Sequence, residues 1–116
     1  MIIIRKAIPE DTKAIIDFQQ KMAWETEQMF LAPEIITHGV NAVFSNPVLG
    51  QYWVAEEIGQ VIASLLITYE CSDWRNTNVW WFQSVYVETK NSRAQKTYEA
   101  LGMKSEHYTM YEWMKE

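Results

Sequence analysis

The sequence contains one cysteine, Cys71, so no internal disulfide can hold it together. Its two histidines, His38 and His107, lack the spacing of metal ligands, and no metal centre is expected. Ten basic residues against fifteen acidic ones leave a net charge of −5, which argues against a nucleic-acid or anionic-membrane surface. There is no secretory pattern and no long apolar run, so a cytoplasmic protein that neither spans nor coats a membrane is expected. Glycine is scarce too: four residues, at 39, 50, 59 and 102, with none in the long interval between the last two. Repeats, low-complexity tracts and linkers are all missing, which leaves residues 1–116 as a single domain.

What is present suffices for a core. The chain has 116 residues, 48% of them hydrophobic, enough to fold without staples. Ile2 to Ala7 reads as a strand. Pro9 suits the first position of a helix, and Glu10 and Asp11 place negative charge at its positive end. Ile15, Phe18 and Met22 continue an apolar stripe to about Glu27. Pro33 opens a second helix, with Ile35, Ile36, Gly39, Val40, Val43 and Phe44 facing inward until Asn46-Pro47. Tyr52–Glu56 and Gln60–Tyr69 read as strands joined by a hairpin at Glu57-Ile58-Gly59. In the second of these, Val61, Ala63, Leu65, Ile67 and Tyr69 make a wholly apolar face, which marks a central strand. The polar turn Ser72–Asn78 leads into a further strand, Val79–Val87.

The most informative stretch is Asn91-Ser92-Arg93-Ala94-Gln95-Lys96-Thr97-Tyr98-Glu99-Ala100-Leu101-Gly102-Met103. Asn91 is a good N-cap, and Gly102 stands where a helix takes a left-handed residue after its end. Ala94, Tyr98 and Leu101 fall on one stripe between them. The strand Val79–Val87 enters this helix and Tyr108–Trp113 leaves it, a βαβ unit with a very short first connection.

The pattern Asn-x-Arg-Ala-x-x-x-Tyr-x-x-x-Gly-Met resembles the C-terminal motif of the GNAT acetyltransferase superfamily. Ile3-Ile4-Arg5-Lys6-Ala7 followed by Pro9-Glu10-Asp11 is similar to the family's first strand and helix. The resemblance implies an α+β fold: a mainly antiparallel sheet of about five strands, two helices before the meander and one after it. The expected strand order is the chain order, with the last strand parallel to Val79–Val87 because a right-handed crossover would join them.

One family segment is absent. Relatives carry a glycine loop, a helix and a further strand between the fourth strand and the Asn-x-Arg-Ala helix. Backbone N–H groups of that loop hold the pyrophosphate of coenzyme A. Here only Glu88-Thr89-Lys90 separates Val87 from Asn91, so the chain reads as an internally shortened member in which one strand serves as both the fourth and the fifth. By resemblance, Val85, Tyr86 and Val87, with Lys90, Asn91 and Arg93, are the positions that meet acetyl-CoA. Without the loop its binding is expected to be weak or absent.

Tyr98 is, by resemblance, the general acid for the departing thiolate; read by itself it is a ring on its helix's buried stripe. Lys90, Arg93 and Lys96 gather at a helix N-terminus, either to meet an anion or as a solvated face. For the base that takes the acceptor's proton, Glu25 and Glu27 lie, by resemblance, in the region that borders the acceptor site in relatives, and Glu70 and Asp73, after the third strand, are the other option. All four acids also read as plain surface charges. Trp24, Trp53, Trp74, Trp80 and Trp81 either frame an apolar acceptor pocket or bind a cation through their ring faces. Cys71 reads as a buried structural thiol.

Two functions follow. One is transfer of acetyl from acetyl-CoA to a primary amine of a small molecule or peptide. The other is a non-catalytic relative that self-associates through an uncovered sheet face. The lost helix predicts a homodimer with some of Trp80, Trp81, Phe82 and Tyr86 at the contact.

Overall fold

A computed structural model describes residues 1–88 and the strand at residues 111–114. The expected C-terminal helix, with Lys90, Asn91, Arg93, Lys96 and Tyr98, lies outside the described residues.

The chain runs β1 (Ile2–Lys6), a 3-10 turn (Pro9–Asp11), α1 (Thr12–Glu27), α2 (Pro33–Ser45), β2 (Gln51–Glu57), β3 (Gln60–Ser72), β4 (Thr77–Val87) and β5 (Tyr111–Met114). The strands form one sheet in chain order, β1-β2-β3-β4-β5, as the sequence predicts. Four strands make the antiparallel body of the sheet, and the short β5 lies along its outer edge. Two α-helices before the meander complete the expected α+β plan.

The direction of the last strand is corrected. β5 pairs antiparallel to β4, with Val79 opposite Met114 and Phe82 opposite Tyr111, not parallel to it. The right-handed crossover rule governs only parallel neighbours. A chain that returns to the end of the sheet it left can lie antiparallel without crossing it.

Both helices pack on one face of the sheet. Ile15 of α1 and Val40 of α2 are completely buried against Tyr52 and Val54 of β2, with Ile36, Val43, Phe44 and Leu66 closing the cluster. The stripe expected on α2 is too wide, because Ile35 is 75% exposed and Gly39 is also exposed. Positions 36, 40, 43 and 44 already fill the arc that a flat sheet can cover, so 35 and 39 swing into solvent.

The other face carries Leu65, Ile67, Phe82 and Val85, with Trp53, Tyr69 and Trp80 beside them. Trp80 and Trp81 point to opposite faces: Trp80 packs edge-on to Tyr69, and the Trp81 Nε1–H donates to Glu70 at 2.9 Å. Phe82 and Tyr86 are buried within the chain, so neither offers the dimer contact expected of them. Trp80 and Trp81 are half-buried. Cys71 is exposed, not buried, because the β3–β4 hairpin runs past the helices that cover the core.

An ion-pair staple fixes the start of α1. The Asp11 carboxylate is buried, accepts the Ile8 N–H at 2.8 Å and receives both terminal nitrogens of Arg5 at 2.8 and 3.0 Å. Arg5 also donates through Nε to Glu56 on β2 at 2.5 Å. Thus β1, the turn into α1 and β2 share one guanidinium. The Arg5 hydrogen bonds hold the Asp11 carboxyl below its usual value of 3.8.

Two turns carry local strain or crowding. Ile58 and Gly59 both have positive φ, 51° and 74°, and Glu57 pairs with Gln60, the geometry of a type I′ hairpin. A β-branched side chain is strained there, and Ile58 is 91% exposed, so no packing offsets the strain. Ile58→Asn is expected to stabilise the protein by about 1 kcal/mol. Thermal unfolding should then shift upward by about 4 °C. Gly50 enters β2 beside β3, and a Cβ there would stand 2.6 Å from the Ile67 carbonyl oxygen. Gly50→Ala should therefore cost about 2 kcal/mol in a urea titration, through backbone displacement.

Candidate functional site

The site forms where the end of α1 meets an irregularity in β4. Along most of the β3–β4 ladder residues pair one to one, but between Ser64↔Tyr86 and Leu66↔Gln83 two residues of β4 face one of β3. Ser84 sits at φ 51°, so this is a β-bulge with its first residue left-handed. The extra residue bends β4 and turns the Ser84-Val85 backbone out of the regular ladder. β5 pairs with β4 only from Val79 to Phe82, so among the described residues the edge of β4 away from β3 has no strand beside it from Gln83 to Val87.

Opposite the bulge, Gln19, Met22, Ala23, Thr26 and Glu27 form one face of α1 at helical spacing. With Leu31, Ser84 and Val85 they enclose a cleft of about 580 Å³. Leu31 belongs to the α1–α2 connection and is held there by Gln20. Its N–H donates to Gln20 Oε1 at 2.9 Å, and its carbonyl accepts from Gln20 Nε2 at 2.8 Å. One side-chain amide thereby fixes the loop against the helix. Gln28 ends α1 in a left-handed conformation, with its N–H on the Trp24 carbonyl at 2.9 Å.

The candidate bases part company. Glu27 lines the cleft, as do Ser84 and Val85 of the bulge. Glu25 instead accepts the Tyr86 hydroxyl at 3.1 Å. The Tyr86 ring stacks on Phe18 with centroids 5.0 Å apart, so this pair ties β4 to α1. Burial and the hydrogen bond to Glu25 push the Tyr86 phenol up, and it remains a neutral donor through the physiological range. Glu70 accepts from Trp81, and Asp73 lies in the exposed β3–β4 turn, so neither reaches the cleft. Val87 is half-buried among the apolar clusters of the sheet.

None of Trp24, Trp53, Trp74, Trp80 and Trp81 lines the cleft. Trp53 donates to Gln51 Oε1 at 2.7 Å, Trp24 is exposed on α1, and Trp74 is 96% exposed at the hairpin tip. The lining of Gln19, Thr26, Leu31 and Ser84 was not picked out from sequence. The helical spacing of 19, 22, 23, 26 and 27 was readable there, but nothing marked Ser84 as a bulge. No group of three or more potential metal ligands occurs among the described residues.

Comparison with solved structures gives a consistent picture. A possible acetyltransferase from Clostridium difficile 630 is 32% identical, with a TM-score of 0.74 and an alignment covering 97% of both chains. A predicted acetyltransferase with acetyl-CoA from Clostridium acetobutylicum is 18% identical at TM-score 0.65, covering 90% of this chain and 77% of that one. Glucosamine-6-phosphate N-acetyltransferase from Arabidopsis thaliana is 18% identical at TM-score 0.61, covering 88% and 72% respectively. The last two likenesses are of fold alone. No protein-family model matches the chain, and no curated protein matches it.

Proposed function

Because this chain belongs to the GNAT acetyltransferase superfamily, we propose that it transfers an acetyl group from acetyl-CoA to a primary amine bound in the cleft between α1 and the β4 bulge. The observation that carries this reading is the meeting of Glu27 with the Ser84-Val85 bulge across one cleft. An acceptor amine on the α1 side lies within reach of a carboxylate. A thioester carbonyl on the β4 side lies beside backbone turned out of its ladder.

The reaction follows from those positions. Glu27 takes a proton from the ammonium of the acceptor and passes it to solvent. The neutral amine attacks the thioester carbonyl carbon, forming a C–N bond and a tetrahedral oxyanion. Collapse breaks the C–S bond, and the nitrogen loses its second proton. The departing thiolate takes up one proton, which the family resemblance assigns to Tyr98. N-acetylamine and free coenzyme A result. The outer edge of Gln83–Val87, away from β3 and beyond the reach of β5, is where the arm of the cofactor would lie, along Val85, Tyr86 and Val87. Lys90, Asn91 and Arg93 are the remaining proposed contacts, for its phosphates. The protein would work in the cytoplasm.

Grip on the cofactor is weak in this proposal. The pyrophosphate loop of relatives supplies several hydrogen bonds to a charged group, each about 1.5–3 kcal/mol. No glycine stands between Gly59 and Gly102 to build one. The nearly end-to-end alignment with the Clostridium difficile protein supports a compact plan common to both chains. Incubation with acetyl-CoA and a primary amine, read by mass spectrometry, should yield the N-acetyl product. If no amine is acetylated above the uncatalysed rate, the non-catalytic reading takes its place.

A further inference from the structure

Glu27 is the one acidic side chain among the described residues of the cleft wall, and the other described residues of that wall carry no charged group. Met22, Ala23 and Leu31 supply apolar surface. Gln19, Thr26 and Ser84 add a few neutral polar groups. No Lys, Arg or His of the described residues lines it. A ligand carrying phosphate or carboxylate would find among these described residues a like charge and no counter-charge. A polyamine would leave its second ammonium against apolar wall. From this lining we infer that the acceptor is an amine with a single positive charge and an apolar body, of the aryl- or alkylamine class.

Size and rigidity fit the same class. About 580 Å³ is within the range of small-molecule sites, large enough for a ring and a short chain and too small for a folded partner. Leu31, which closes the apolar side, is clamped by two hydrogen bonds to Gln20 and does not depend on a ligand for its place. The ammonium is placed by Glu27 on the last turn of α1, and the body lies back along Met22, Ala23 and Leu31. The inference rests on the acetyl-transfer reading for the word acceptor, but the recognition it describes is testable without turnover.

The test uses the whole chain with its methionine methyls labelled, followed by NMR, the Met22 resonance being assigned by its loss in Met22→Leu. The probes are 2-phenylethylamine, 3-phenylpropanoate and glucosamine 6-phosphate. Expected is a saturable shift of Met22 with 2-phenylethylamine, weakened about tenfold by Glu27→Gln, a change that should not disturb folding because Glu27 is exposed. 3-Phenylpropanoate should give no saturable shift. The inference is overturned if either anionic probe binds as tightly as 2-phenylethylamine, if the amine does not bind, or if Glu27→Gln leaves its affinity unchanged. Acetylation is scored separately. Binding without transfer would contradict the proposed reaction and leave the ligand class standing. Faster acetylation of ethanolamine than of 2-phenylethylamine would contradict the ligand class and leave the reaction standing.

Discussion

Glu27→Gln is expected to lower kcat/KM for amine acetylation by about 10²-fold, the lower end of what a positioned general base contributes. The amide keeps the shape and polarity of the side chain at the end of α1 but removes the proton acceptor. Glu27 is exposed and its neighbours in the cleft are neutral, so stability should not change. Glu25→Gln makes the contrast. Glu25 is engaged by the Tyr86 hydroxyl, which an amide oxygen can still accept, so the rate should fall by much less. Initial rates of coenzyme A release for the two variants decide between these carboxylates. Equal losses would show that the cleft does not single out Glu27.

The largest effect on stability is expected at Asp11. Its carboxylate is buried, caps the turn before α1 and pairs with an Arg5 that is itself three-quarters covered. Asp11→Ala removes three hydrogen bonds at once and leaves Arg5 with Glu56 as its carboxylate partner. The cost should be about 3 kcal/mol, at the low end for breaking a buried pair because part of Arg5 meets water. Thermal unfolding should fall by more than 10 °C. The pH dependence has a definite sign. The folded pKa of Asp11 lies below its ordinary value of 3.8, so the unfolded chain binds this proton first as pH falls. The stabilisation is therefore complete above about pH 5 and drains away as pH drops through 3.8 toward the folded value. The difference in stability between the native chain and Asp11→Ala should narrow in that acid window. A constant difference from pH 6 to pH 2 would mean that the pair does not titrate as described.

Much of the architecture was readable because its signals are local. Pro9 and Pro33 mark both helix starts, and Ile58-Gly59 sits between two β-patterned runs. The order of β2, β3 and β4 followed from short connections, which leave sequential antiparallel strands little choice but to be neighbours, whereas the places of β1 and β5 came from the family resemblance. The direction of β5 was not readable, because the connection before it is long enough for either sense. The bulge was hidden for a different reason. Left-handed residues usually announce themselves as glycine or asparagine, and here the residue is Ser84. Without the bulge, Val85 reads as an ordinary strand position, and nothing marks Ser84-Val85 as lining the same cleft as Glu27. The Arg5–Asp11–Glu56 staple was equally silent, since Asp11 looked like a surface charge favouring a helix dipole. Glu25 and Glu27 stood together in sequence as equal candidates. Only the turn of α1 separates them, sending one to Tyr86 and the other to the cleft.

The most direct measurement is the initial rate of coenzyme A release as a function of acetyl-CoA concentration, with a saturating apolar primary amine. Losing even three hydrogen bonds to the pyrophosphate should weaken affinity by at least two or three orders of magnitude, since about 1.4 kcal/mol is tenfold. A helix end at Asn91, as expected from the sequence, would recover about 1–2 kcal/mol of this. The rate should therefore rise and saturate with a KM on the order of millimolar. A KM in the micromolar range would mean that the chain has a complete pyrophosphate site after all. No release above background at several times that concentration would contradict acetyl transfer itself.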